Sequence, residues 1–389
     1  MIKKSVCLVM ILFFVPVTLL AAARSLEKKP RVESLTVRFN GDYLKALYLY
    51  LDARTPEEKN EDEKNKRLKG PVIVFFHGHS QRPGDGYNFT RELALRSRSG
   101  IVIVPVCDTP FGRDGKFRGD EGKDVILMEV VRRLLEKNAI SIDGYATDTA
   151  MPVIIDPCTK EKEGQDITAA KLVVVGWSHG ALLARRIAGR YPGAIIALGQ
   201  MAPAGFREWG GYNCVAPGCL LASFSWEGMR VGTGIFRGEA GHIWDSGSGI
   251  IKGQAGDNFR SCSSCISGNF HVGKAFRAYR DLQECTRYAT DADRPVGGVR
   301  SIVVIFGDND SLFRYDKLAG VKKSGNVTTE EQEAFFAKFY PGSVKAGARC
   351  RLLVLPGNHI GPLVHNEKWV EAVLDGIDRN GNTGEVLEK

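Results

Sequence analysis

No segment of this 389-residue chain repeats at a fixed period, which excludes solenoids and propellers. No Lys/Arg-rich stripe interleaved with aromatics appears, so nothing points to a nucleic-acid partner. The formal charge of +8 is mild, and it falls to +6 once Lys3 and Lys4 leave with the leader described below. Past residue 23 no stretch is long and apolar enough to cross a bilayer, which excludes a multi-span membrane protein. What is present suits a globular chain: 43% hydrophobic and 25% charged residues rule out a disordered or fibrous polymer. At about 150 residues per domain the length allows two or three, although α/β folds often use about 250 residues as one unit.

Residues 1–23 read MIKKSVCLVMILFFVPVTLLAAA. Two lysines precede a long apolar run, and Ala21 and Ala23 suit a signal peptidase cutting before Arg24. The alternative is an uncleaved membrane anchor, since the apolar stretch is nearly long enough to span. Pro16 and the Ala-x-Ala ending favour cleavage, which places the mature protein in the periplasm or outside the cell with no membrane span. Export changes how the cysteines read. Cys7 leaves with the leader, and Cys107, Cys158, Cys214, Cys219, Cys262, Cys265, Cys285 and Cys350 remain, an even count that suggests disulfides in an oxidising compartment. A zinc site from Cys214, Cys219, Cys262 and Cys265 is the competing arrangement. The wide gap between its two pairs and the export signal weigh against it. Cys107 sits in a predicted strand and reads equally as a buried thiol.

Residues 34–53 alternate in the manner of a leading β-hairpin, and the mixed charges of 54–69 read as a solvated loop. From Pro71 onward the pattern changes. Continuous apolar runs at Val72–Phe76, Ile101–Val106, Leu172–Val175, Ala194–Leu198, Ile302–Phe306 and, shorter, Leu352–Leu355 predict strands buried on both faces, as in a parallel sheet. Between them lie helical stripes. One comprises Leu127, Val130, Val131, Leu134 and Leu135; another follows the capping box Thr328-x-x-Glu331 and stops at Pro341; a last one carries Val370, Val373, Leu374 and Ile377. Strand–helix alternation predicts an α/β sandwich with ligands at the carboxyl ends of the strands. Two stretches interrupt it. Residues 139–168 are polar and irregular, and 206–296 form an insertion with 14 Gly, five cysteines, and Trp209, Trp226 and Trp244.

Chemistry enters at Gly176-Trp177-Ser178-His179-Gly180. In a chain with 44 Gly the G-x-S-x-G pattern alone is weak. Its context gives it force: a buried strand, Leu172–Val175, runs straight in, and a helix with Leu183 and Ile187 on one face runs straight out. A turn that sharp needs glycines flanking the serine, and it aims the positive end of the helix at the hydroxyl.

With these features the chain resembles the α/β-hydrolase superfamily, and the resemblance covers roughly residues 71–205 and 298–378. It implies an α/β-hydrolase fold, a mostly parallel central sheet with helices on both faces, built from 24–205 and 297–389, with 206–296 inserted as a cap. His77-Gly78-His79 looks like the family's His-Gly turn, which implies an oxyanion hole from the backbone N–H groups of His79 and His179 and a bracing role for the His77 side chain. Gly307-x-x-Asp310 matches the family's acid, with Asp308 in reserve, and His359 follows the last strand. The order Ser178, Asp310, His359 is the superfamily's own. The implied activity is hydrolysis of a small-molecule or lipid-like carboxylic ester through an acyl-enzyme, with no cofactor and no metal. Trp177 is a candidate for lining the pocket and equally for packing in the core. Amide or peptide cleavage by the same residues, and a non-catalytic binder on the same fold, are the alternatives. His179 adjoins Ser178 and cannot reach it as a base, His365 reads as a surface or capping residue, and His242 and His271 lack metal-ligand spacing.

Overall fold

The structure, a computed structural model, describes residues 24–26, 30–39, 42–78, 83–84, 86, 87–106, 122–146, 153–155, 168–203, 299–308, 310, 327–357, 359, 361–364 and 366–378. The leader, the 206–296 insertion, His79, His365 and every cysteine except Cys350 lie outside them.

A hairpin opens the chain, β1 (Glu33–Phe39) pairing antiparallel with β2 (Asp42–Asp52). Next comes helix α1 (Pro56–Asn65), which corrects the expectation of a loop across the charged stretch. Its charge run hid two local signals. Thr55 and Glu58 form a reciprocal capping box, and Pro56 opens the first turn, where its missing N–H is harmless. Strand β3 (Val72–Phe76), helix α2 (Tyr87–Arg96), strand β4 (Ile101–Pro105) and helix α3 (Lys123–Lys137) follow. Among the described residues, the region expected to be irregular holds two short strands, β5 (Ile140–Ile142) and β6 (Val153–Ile155), and a third, β7 (Thr168–Ala170), begins at its end. Three-residue strands are too short to show a period, so only their partners reveal them. Then come β8 (Leu172–Trp177), α4 (His179–Arg190), β9 (Ile195–Met201), β10 (Ser301–Gly307), α5 (Thr329–Phe339), α6 (Pro341–Lys345), β11 (Arg349–Leu355), α7 (Gly361–Val364) and α8 (Asn366–Asp378). The capping box at Thr328 and Glu331 forms as expected, while Pro341 both ends α5 and opens α6.

One sheet runs in the order β11-β10-β9-β8-β3-β4-β2-β1-β6, and β5 pairs with β7 in a small second one. Strands β3, β4, β8, β9, β10 and β11 are mutually parallel; the hairpin and β6 add antiparallel pairs at one edge. Side chains alternate between two cores. Val72, Val74 and Phe76 join the one that also holds buried residues of α3, α4 and α5. Ile73 and Phe75 join the other, with residues of α2 and α8. Helices therefore cover both faces, which is why the parallel strands read as unbroken apolar runs. Cys350 carries a free thiol, and burial pushes its pKa up to about 11, so it stays protonated at neutral pH.

At the amino-terminal end of the sheet an ion cluster fixes the exit from β2. Arg54 holds Asp52 through two bonds of 2.9 and 3.0 Å and Asp62 through one of 3.0 Å. Burial alone would raise the Asp52 carboxyl, but the hydrogen bonds and charge of Arg54 outweigh it and hold it below its ordinary value. A depressed carboxylate contributes stability above its unfolded pKa of about 3.9 and loses that contribution as pH falls through the folded value. Arg54→Met should cost about 3 kcal/mol near neutrality, because buried Asp62 loses its cation and half-buried Asp52 is left with Lys59. Chemical denaturation against pH should show the gap to wild type narrowing below about pH 4.

Candidate active site

The chain leaves β3 toward β4 on one side, and β8 then lies on the other side of β3. Strand order reverses at that point, opening a crevice between the carboxyl ends of β3 and β8 where ligands of open α/β sheets bind. His77 and Gly78 follow β3 into it, and Ser178 follows β8.

Ser178 has φ 56° and ψ −122°, a conformation that L-residues rarely adopt and that stores about 1–3 kcal/mol. The surroundings impose it. The Ser178 N–H donates to the Met201 carbonyl at 2.9 Å, and the Ser178 carbonyl accepts from Ala181 N–H at 3.1 Å, so strand and helix each hold one side of the turn. Close packing requires the two glycines. A Cβ on Gly180 would run into the carbonyls of Phe76 and His77, and one on Gly176 into the backbone of Gly180 and Ala181. Gln200 fastens the helix from beneath, its Nε2 donating to the Ala181 carbonyl at 2.8 Å and its Oε1 accepting from the Tyr340 hydroxyl. Burial pushes that hydroxyl up to about 12, so it remains a neutral donor.

Three strand ends converge on the serine. His359 Nε2 lies 2.9 Å from Ser178 Oγ, and His359 Nδ1 lies 3.0 Å from Asp310 Oδ2. All three residues are buried, and Asp310 has no exposed side-chain surface. An oxygen, an imidazole and a carboxylate thus stand in one line. The carboxylate fixes Nδ1 as the protonated nitrogen and leaves Nε2 to accept the hydroxyl proton. Asp308 is exposed and takes no part in that line. Its Oδ1 accepts the Gly357 N–H at 2.9 Å, and its own N–H donates to the Leu355 carbonyl at 2.8 Å. It pins the turn that leads to His359.

The remaining candidates fall as follows. His179 opens helix α4 with a buried side chain, so its backbone N–H stands at the positive end of the helix dipole. His77 is buried and its Nδ1 lies 2.9 Å from the Gly78 carbonyl, which fixes the ring to its own turn. Trp177 is 4% exposed and packs in the core, and its Nε1 donates to the His359 carbonyl at 2.8 Å. Neither the Trp177 bond nor the Asp308 bond was predicted from sequence, because each joins residues with no local pattern in common. Among the described residues no group of three or more His, Cys, Asp or Glu is placed to hold a metal ion, and no helix is long and apolar enough to cross a membrane.

No protein-family model and no curated protein matches the chain. Solved structures do. A membrane phospholipase A described as a bacterial virulence factor is 14% identical over 98% of this chain and 100% of its own, with a TM-score of 0.49. A carboxylesterase of the thaumarchaeon Nitrososphaera gargenis is 15% identical over 90% and 99%, TM-score 0.48. A thermophilic esterase from Thermogutta terrifontis is 13% identical over 90% and 99%, TM-score 0.46. The protein's own parallel sheet, the serine turn at the end of β8 and the chain order Ser178, Asp310, His359 give it the α/β-hydrolase fold.

Proposed function

We propose that the protein is an exported serine hydrolase that cleaves carboxylic esters through an acyl-enzyme. The observation that carries this reading is the unbroken line from Ser178 Oγ through His359 to Asp310, with both links at 3.0 Å or less. A serine hydroxyl is a poor nucleophile until a base removes its proton. In the proposed cycle Ser178 Oγ attacks the ester carbonyl carbon while His359 Nε2 takes the hydroxyl proton. The resulting imidazolium is held by Asp310. Negative charge on the former carbonyl oxygen meets the N–H of His179 at the start of α4, where the helix dipole also favours it. His79, outside the described residues, supplies the second donor in this reading. Collapse of the intermediate breaks the bond to the alcohol, which leaves with the proton from His359. A water then gives up a proton to the same nitrogen and attacks the acyl carbon, and the acid departs as Ser178 regains its hydrogen.

The leader-like residues 1–23 support export, and a small-molecule or lipid-like ester is the substrate class in this reading. A fluorophosphonate probe tests the nucleophile directly. Wild type should be labelled and Ser178→Ala should not; a folded wild-type protein that stays unlabelled overturns the reading and leaves a binder on a hydrolase fold.

Steady-state kinetics on nitrophenyl esters should separate the two aspartates. Asp310→Asn removes the group that sets the imidazole tautomer, and kcat should fall about 10⁴-fold. Asp308→Asn retains an oxygen for the Gly357 N–H, so kcat should change by less than about threefold. Comparable losses in both variants would assign the acid wrongly. Gly180→Ala should lower stability by about 3 kcal/mol through overpacking against the end of β3, and it should abolish probe labelling below the melting temperature as the serine turn shifts. A panel of esters and matched amides on the mature protein should show ester turnover ahead of amide turnover.

A further inference from the structure

We infer that Trp177 is a positioning residue that ties the loop bearing His359 to the strand bearing the nucleophile. The inference rests on the serine-hydrolase reading above and adds to it a third hold on the base.

The need for such a hold comes from topology. Strand β11, from which His359 follows, lies three places from β8, roughly 14 Å at ordinary strand spacing. The short segment that leads from Leu355 to His359 bends at Pro356 and Gly357, so the imidazole stands on a turn and not on a strand. On such a turn the place of the imidazole depends on how firmly the backbone beneath it is held. That backbone is held at successive points as it returns across the sheet. At Gly357 the N–H donates to Asp308, at the end of β10. At His359 the ring meets Asp310, beyond the same strand. The Asp310 contact sets the rotation of the imidazole, and as a side-chain contact it does not itself fix the main chain of His359.

Trp177 supplies that constraint. Its Nε1–H donates to the His359 carbonyl at 2.8 Å, between residues 182 apart in the chain. The indole also lies beside the imidazole, ring centres 5.7 Å apart. Its other edge packs on the turn after β3: a Cβ on Gly78 would stand 3.2 Å from the indole's six-membered ring. The two partners that matter most for proton transfer are thereby referred to one short segment, because Trp177 and Ser178 are consecutive. The nucleophile and the anchor of its base move together. An apolar side chain of the same size would fill the same space, so the N–H is what distinguishes positioning from packing. Since the bond is buried, water replaces it poorly and its loss takes a buried donor from the carbonyl.

Two variants test this. Replacement of Trp177 by benzothienylalanine keeps the shape of the indole and puts sulfur in place of the N–H; Trp177→Phe is the genetically simple version and guards against poor incorporation of the analogue. Fluorophosphonate labelling of the wild type comes first: an unlabelled, folded wild type sinks the serine-hydrolase reading and this inference with it. With a labelled wild type, both variants should retain the far-UV spectrum and KM for a nitrophenyl ester, while kcat and the labelling rate fall about 10- to 100-fold, the range expected of a misplaced base. Wild-type kcat in the folded benzothienylalanine protein would overturn the positioning role and leave the hydrolase reading intact. A rise in KM at constant kcat would overturn it as well, and would assign Trp177 to substrate contact instead.

Discussion

Helix α4 approaches the end of β3 so closely that Gly180 touches the carbonyls of Phe76 and His77, and the rest of the site depends on that contact. With any side chain there the helix would have to withdraw. Ser178 would then lose the strained φ of 56° that lifts its hydroxyl out of the strand–helix turn. The contact also puts the start of the helix, with its positive dipole end, against the crevice at the point where strand order reverses. Gln200 and Tyr340 brace the same helix through a buried hydrogen-bonded chain. A strained serine persists because several independent contacts determine its position.

Asp310 and His359 reach the serine by different means. Asp310 lies just past β10, two places from β8, and Asp308 stands two residues before it at the same strand end. The first turns inward and is buried; the second faces outward and caps the turn before His359. Two like carboxylates therefore divide orientation of the imidazole from support of its loop. Trp177 completes the arrangement from the serine's own segment. His359 is held by contacts from β8 and β10, although it follows β11 in the chain.

Legibility in the sequence tracked the range of the interaction responsible. The buried strands at Val72–Phe76, Ile101–Pro105 and Ser301–Gly307 could be read because burial on both faces leaves a continuous apolar run. The capping box at Thr328 and Glu331 could be read because its donors and acceptors lie three residues apart. The same motif at Thr55 and Glu58 was masked by surrounding charge, and helix α1 was missed. Strands β5, β6 and β7 were missed because each is three residues long and is defined only by a partner distant in the chain.

Sequence alone determined the elements that local chemistry dictates: the buried strands, the amphipathic helices, the glycines around Ser178, and the order in which serine, acid and histidine occur. Tertiary structure decided everything that depends on distance between residues remote in the chain. It set which of Asp308 and Asp310 faces the imidazole, because a strand end can turn either carboxylate inward and only packing selects one. It likewise sent the Trp177 indole to the His359 carbonyl, since a side chain's hydrogen-bond partner 182 residues away leaves no trace in local spacing or periodicity.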